Sequence, residues 1–243
     1  RFPFIDPQII HDNPKVFMGY SDIATWLAVF MYAGVRAYYG PNVLNPIAQP
    51  GSLDKYTEEA IRKTLFTGEI IGEIKPCERY TNINWTATSC DEIEWTENTG
   101  YKVLQGEGKV QGRLISVCGG PLWQIMGTKY YPAKDMWEDS IIAIEHGMVV
   151  DTESDFAAYH QLSSYAASGA FDKAKAILTG PLSGKMEEIL LKVINTEIGR
   201  PDMVIIENVD FIHRVPMTVL PTGALTEIDC GKKKITILES GCI

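Results

Sequence analysis

The stretch Lys15-Val16-Phe17-Met18-Gly19-Tyr20-Ser21-Asp22-Ile23-Ala24-Thr25-Trp26 decides how the chain is read. Val16, Phe17 and Met18 form an apolar run of strand length. From Asp22 the period changes: Ile23, Trp26, Leu27, Phe30 and Met31 recur at helical spacing until Gly34 stops the run. A serine set between a strand end and a helix start is lifted out of the sheet at the positive end of the helix, which is the layout of a nucleophile elbow. The same Gly-x-Ser pattern also occurs in ordinary helix caps, where the hydroxyl only accepts a backbone N–H. Partners elsewhere in the chain decide between the two.

Outward from this stretch, short apolar runs alternate with helical patterns. Arg36 to Tyr39 reads as a short strand closed by Gly40-Pro41-Asn42, and Thr57 to Phe66 as a helix with Glu58 and Glu59 in its first turn. Thr67 to Thr99 is irregular, with Trp85 and Trp95 among polar residues, and reads as a connection or a loop covering a site. Tyr101 to Gln105 and Lys109 to Ser116 read as strands, and Gly119-Gly120-Pro121 opens a short helix. Ile141-Ile144, Ala174-Leu178 and Met203-Ile206 are continuous apolar runs, as strands covered on both faces require. Helices are expected from a capping-box-like start at Thr152-Glu153-Ser154-Asp155 to Gly169, and from Ser183 to Ile198. Ala224 to Asp229 and Lys234 to Glu239 resemble a hairpin. The alternation predicts an α/β fold with a largely parallel sheet.

The 243 residues suffice for one large or two smaller domains, and 45% hydrophobic with 22% charged residues is the make-up of a globular chain. A net charge of −9 argues against a nucleic-acid surface. No apolar run is long enough to span a bilayer, and no signal-peptide pattern occurs at Arg1, so no membrane partner is expected. Five widely spaced cysteines without a Cys-x-x-Cys pair suggest reduced thiols in the cytoplasm, with no zinc site.

Two of the buried runs end in chemistry. Ile141-Ile144 leads into Glu145, and Met203-Ile206 is followed by Glu207-Asn208-Val209-Asp210 and then His213. Functional groups gather at the carboxyl ends of strands in parallel α/β sheets. Ser21, His213 and Glu145 form a chemically complete set, because a serine needs a base and an imidazole needs a carboxylate to fix its tautomer. Taken singly, Glu145 is also readable as a strand-end carboxylate paired with a lysine, and His213 as a loop histidine with a backbone partner. His11 lies near a turn and His160 on a mostly solvated helix. His146 adjoins Glu145 on a strand and therefore points the other way.

Gly19-Tyr20-Ser21-Asp22, preceded by Asn13-Pro14-Lys15, resembles the nucleophile motif of the LD-carboxypeptidase family, which includes the microcin C immunity proteins. The similarity continues through Tyr39-Gly40-Pro41, Gly119-Gly120, Gly127-Thr128 with Tyr131-Pro132, and Ile144-Glu145. It ends with His213-Arg214-Val215-Pro216-Met217 and Leu220-Pro221-Thr222-Gly223. The resemblance implies a serine peptidase with the triad Ser21, His213 and Glu145, in which the backbone N–H of Asp22 is an oxyanion donor. It implies no metal or organic cofactor, and a homodimer. Its substrates would be a murein tetrapeptide losing its terminal D-alanine, or a peptidyl-nucleotide antibiotic. Trp85 and Trp95 could stack on a nucleobase, or simply pack under a long loop.

The expected organisation is a Rossmann-like or flavodoxin-like nucleophile part at 1–66, a linker or active-site loop at 67–100, and a C-terminal α/β domain carrying Glu145 and His213 at 101–243. Two departures stand out. Ile212 occupies the position before the histidine where the family usually has glycine. The family's long segment before the nucleophile strand, which supplies a second oxyanion donor, is not found, so the nucleophile part is expected to be incomplete. Two rivals remain: an α/β-hydrolase-type esterase, although Ile23 replaces the last glycine of its Gly-x-Ser-x-Gly, and a peptide-binding relative without turnover.

Overall fold

The computed structural model describes residues 2–82, 89–145 and 155–242. Helix Pro7–Asp12 (α1) and strand Met18–Gly19 (β1) precede helix Ala24–Tyr32 (α2), strand Tyr38–Tyr39 (β2) and helix Lys55–Leu65 (α3). Strands Ile70–Ile74 (β3), Arg79–Asn82 (β4), Thr96–Glu97 (β5), Lys102–Gln105 (β6) and Lys109–Cys118 (β7) follow. Helices Gly119–Gln124 (α4), Asp155–Ala167 (α5) and Gly184–Leu191 (α6) then alternate with strands Ser140–Glu145 (β8) and Ala176–Leu178 (β9). The remaining strands are Val204–Glu207 (β10), Arg214–Val215 (β11), Leu220–Pro221 (β12), Leu225–Asp229 (β13) and Lys234–Ser240 (β14).

Among the described residues, eight strands form the main sheet in the order β3-β14-β13-β7-β8-β9-β10-β6. The fold is α/β, as the alternation predicts, but the sheet is mixed. Strands β7, β8, β9 and β10 run parallel, whereas β6, β13, β14 and β3 join antiparallel. The parallel centre is the part whose apolar runs are continuous, because both its faces are covered. The antiparallel wing begins with the predicted β13–β14 hairpin and ends in β3. Strand β3 falls within the stretch read as irregular. It escapes periodicity because Gly72, at φ +71°, breaks the alternation and leaves Ile71 and Ile74 as its buried residues. The capping-box residues Thr152 to Ser154 lie outside the described residues.

Alternation along β8 divides the core. Ile141 and Ala143 pack in a cluster with Tyr20, Leu27, Tyr39 and Phe211, whereas Ile142 and Ile144 pack with Leu162, Tyr165, Leu190 and Ile194 under the helices. Glu145, next in the odd series, therefore faces the first cluster. That face is covered by a three-stranded sheet, β1-β2-β12, in which β1 and β2 are parallel and β12 returns antiparallel. The stretch leading to Ser21 and the C-terminal part thus share a sheet. Arg36 reinforces the join with an ion pair to Glu239 at 2.9 Å.

Ile212, standing where the family usually has glycine, is buried against Gly180. A Cβ added at Gly180 would lie 2.6 Å from Ile212 Cγ2, so the bulk before His213 is accommodated by a missing side chain across from it. Gly180→Ala is expected to destabilise the protein by about 1–3 kcal/mol through overpacking, and a second change, Ile212→Ala, to relieve part of that loss. Urea unfolding of the two single variants and the double variant checks this; strictly additive losses would contradict it.

Candidate active site

The turn after β1 is held in a conformation few residues adopt. Tyr20 is extended, and Ser21 then takes φ +59° before the short 3₁₀ turn Ser21–Ile23 leads into α2. A left-handed L-residue costs about 1–2 kcal/mol, so the turn is stable only where its surroundings impose it. Gly19 is one such constraint, because a Cβ there would lie 2.7 Å from Ile23 Cγ2. Glycine two residues before the serine lets the strand end and the helix start touch. Asp22 is exposed, and its backbone N–H lies in the first turn of the helical segment, where no helical carbonyl precedes it.

Glu145 ends β8 with its carboxylate buried, at 2% exposure. Oε1 accepts from the backbone N–H of His213 at 2.8 Å and lies 2.5 Å from His213 Nδ1. Oε2 accepts from the Tyr39 hydroxyl at 2.5 Å. Tyr39 hydroxyl also accepts from the Ser21 N–H at 3.4 Å. The edge of the Tyr20 ring meets the His213 ring at a centroid distance of 4.7 Å. Burial first, and the Glu145 charge second, raise both phenols above their ordinary range.

The structure therefore links Ser21, Glu145 and His213 through the Tyr39 hydroxyl, with Asp22 next to Ser21 in the chain. With Nδ1 on Glu145, Nε2 is the imidazole nitrogen left for the serine. Among the described residues, Ser21 Oγ and His213 Nε2 form no hydrogen bond with each other. His11 Nδ1 lies 3.0 Å from the Ala33 carbonyl, and His160 packs its ring on Phe156 and Tyr159, both away from these residues. Trp85 and His146 lie outside the described residues. Trp95 carries Arg79 over its face at 4.4 Å and lines a cavity of about 690 Å³ with Tyr56, Cys77 and Pro216. Tyr39, named in the sequence only within the family-like Tyr39-Gly40-Pro41, is the member to which sequence reasoning gave no role. Its signal was present in the strand ending at Tyr38-Tyr39, beside the nucleophile strand.

The loop that carries His213 is anchored from behind. Asp210 accepts from the Cys77 N–H at 2.9 Å and from Asn98 Nδ2 at 3.1 Å, and Asn208 donates to Asn98 Oδ1 and to the Gly100 carbonyl, both at 2.8 Å. Strand β11, immediately after His213, pairs with β4, and the Arg214 guanidinium covers the Tyr80 ring at 3.8 Å. Burial raises the Asp210 carboxyl to about 6; the Cys77 donors, the Arg214 charge and Asn98 pull the other way without cancelling it.

A left-handed serine at a strand–helix turn, beside a buried glutamate paired with a partly buried histidine, is a layout that serine hydrolases use. The chain belongs to the LD-carboxypeptidase family: residues 1–40 match the LD-carboxypeptidase N-terminal domain and residues 111–228 the LD-carboxypeptidase C-terminal domain. The Microcin C7 self-immunity protein MccF of Escherichia coli is 28% identical over 259 residues, covering 98% of this chain and 69% of that protein. The crystal structure of an MccF-like protein from Bacillus anthracis superimposes with a TM-score of 0.83 at 26% identity, over 98% of this chain and 71% of the other. MccF in complex with glutamyl sulfamoyl guanosine gives a TM-score of 0.85 at 26% identity, over 99% and 72%. Among the described residues no helix is long and apolar enough to cross a membrane.

The Asp210 anchor has a pH signature. Its folded carboxyl titrates near 6, above the ordinary 3.8, so between those values the native state holds a proton that the unfolded chain has released. The stabilisation is complete below the unfolded value and is lost as pH rises through the folded one, on the order of 3 kcal/mol in all. Asp210→Asn cannot ionise, so its stability relative to the parent is expected to improve by a comparable amount between pH 4 and 6.5. Urea unfolding across that range tests this, and parallel pH slopes for the two proteins would overturn it.

Proposed function

We propose that this protein is a serine carboxypeptidase that hydrolyses the C-terminal amide of a small peptide or aminoacyl conjugate. The observation that carries the reading is the pairing of buried Glu145 with partly buried His213 beside the left-handed Ser21. In the proposed reaction His213 Nε2 takes the Ser21 hydroxyl proton as Oγ attacks the carbonyl carbon. Glu145 keeps the Nδ1 proton in place and offsets the positive charge that forms on the ring. The oxyanion develops toward the Asp22 N–H. Collapse breaks the carbon–nitrogen bond, and His213 returns its proton to the departing nitrogen. Water, activated by the same imidazole, then releases the acyl group from Ser21.

The ligand bound by the structural relative, glutamyl sulfamoyl guanosine, joins an aminoacyl group to a nucleoside, which favours a peptidyl-nucleotide substrate for this chain. Trp95 and, by sequence, Trp85 are proposed to contact that nucleoside. A murein tetrapeptide is the second reading, favoured by the family description itself. The division into a nucleophile part at 1–66, a connecting or covering segment at 67–100 and an acid- and histidine-bearing part at 101–243 belongs to the same proposal. So do a homodimer and a cytoplasmic setting.

Incubation with a glutamyl sulfamoyl nucleoside and with a D-alanine-terminated murein tetrapeptide, followed by chromatography, tests the reading. Turnover of at least one is expected, and Ser21→Ala is expected to lower kcat on the order of 10⁴- to 10⁶-fold. A fluorophosphonate adduct should map to Ser21. Tight binding of both compounds by the parent, with no turnover and no adduct, would identify a binding protein instead.

A further inference from the structure

The Tyr39 hydroxyl sits where two parts of the proposed site meet. It is fully buried and comes from β2, whose neighbour β1 ends at the nucleophile turn. A phenol has one proton to give, and here it goes to Glu145 Oε2 at 2.5 Å. The lone pair of the same oxygen accepts the Ser21 N–H at 3.4 Å. We infer that Tyr39 is a positioning residue that couples the carboxylate of the triad to the nucleophile turn through this single hydroxyl. The inference rests on the catalytic reading of Ser21, His213 and Glu145 given above.

The physical case is one of accounting for donors and acceptors. A buried carboxylate is tolerated when both oxygens are hydrogen-bonded, and His213 supplies donors to Oε1 alone. Tyr39 satisfies Oε2, which sets the carboxylate plane and leaves Oε1 directed at the imidazole. Because burial holds the phenol well above its ordinary range, it stays a donor throughout the pH range in which an imidazole can act as base. The other titratable groups near this hydroxyl are His213, reached through the carboxylate, and Cys118. The Ser21 N–H, engaged by Tyr39, is withdrawn from oxyanion duty, which assigns that task to the Asp22 N–H. The ring itself packs against Phe211 at a centroid distance of 5.7 Å, a contact that phenylalanine would keep.

Tyr39→Phe therefore separates the hydroxyl from the packing. Without the phenol proton, more of the negative charge of Glu145 is available to His213. The proton resonance of the His213 Nδ1–Glu145 bond, identified by its loss in His213→Gln, is expected to move downfield. In the active parent kcat is expected to fall roughly 10- to 100-fold with KM within about twofold, the loss of one hydrogen bond to a charged group acting on the reaction barrier. The acid limb of the rate profile should move to higher pH, because the imidazolium is held more strongly. Should Tyr39→Phe not fold, 3,5-difluorotyrosine at the same position keeps the bonds and strengthens the donor, and should move the resonance upfield. A resonance unmoved by the substitution that folds, or a loss confined to KM, would overturn the inference. A parent without turnover would defeat the catalytic reading, and the resonance would still decide whether Tyr39 governs the glutamate–histidine bond.

Discussion

The rest of the structure turns on one buried charge. Ionised carboxylates are expensive to remove from water unless every lone pair that matters finds a donor. Glu145 meets that requirement with groups from two distant parts of the chain, the hydroxyl of Tyr39 and both the backbone and ring nitrogens of His213. Each donor is useful only if its element is in place: β8 must end at residue 145, β2 must lie over the first core face, and the loop after β10 must turn back toward the sheet. The carboxylate therefore acts as a consistency condition on the fold. Removing one donor leaves a buried acceptor unpaired, a loss larger than the net gain of making the bond.

The turn that carries Ser21 is the second constraint, and it works by exclusion. Ser21 occupies a left-handed conformation because the strand before it and the helix after it are brought into contact, and Gly19 permits that contact by having no side chain to place against Ile23. Strain of this kind persists where packing outweighs it. Here the packing comes from Leu27, Tyr39 and Phe211 in the same cluster, and β12 closes the small sheet from the C-terminal side. The site is thus a junction between sheets, and the carboxyl end of β8 and the elbow are held at it by one continuous core.

Much of this was legible because it depends on local pattern. Ile141 to Ile144 reads as a buried strand from its continuity, and Glu145 follows from where the run stops. The elbow reads from a change of period across Ser21. Legibility failed where tertiary pairing overrides local signal. Strand β3 has two buried isoleucines separated by a glycine-broken spacing, and its place at the sheet edge is fixed by β14, more than 150 residues away in the chain. The mixed character of the sheet was hidden for the same reason: strand direction is a property of connections, and apolar runs do not encode it. Tyr39 could be placed on a strand, yet its role depends on the hydroxyl meeting a carboxylate from β8, which no spacing rule specifies.

The segment from Cys77 to Gly100 illustrates how an irregular sequence becomes part of the frame around His213. It contains little apolar periodicity, and its described parts are held largely by polar contacts: Asp210 to Cys77 and Asn98, Asn208 to Asn98 and Gly100, and β4 to β11. All of these reach the loop between β10 and β11, the loop that carries His213. The wall bearing Trp95 and the proposed base are consequently tied to the same few residues. Displacing the wall by a ligand in the neighbouring cavity would load the Asp210 anchor and strand β11 together, so contacts made at the wall bear on the geometry of His213 through bonds already present. Asp210, the one member of this set that titrates near 6, makes the strength of that tie depend on pH. Ionised, it is the better acceptor for Cys77 and Asn98 and the better partner for Arg214, even though its burial then costs stability.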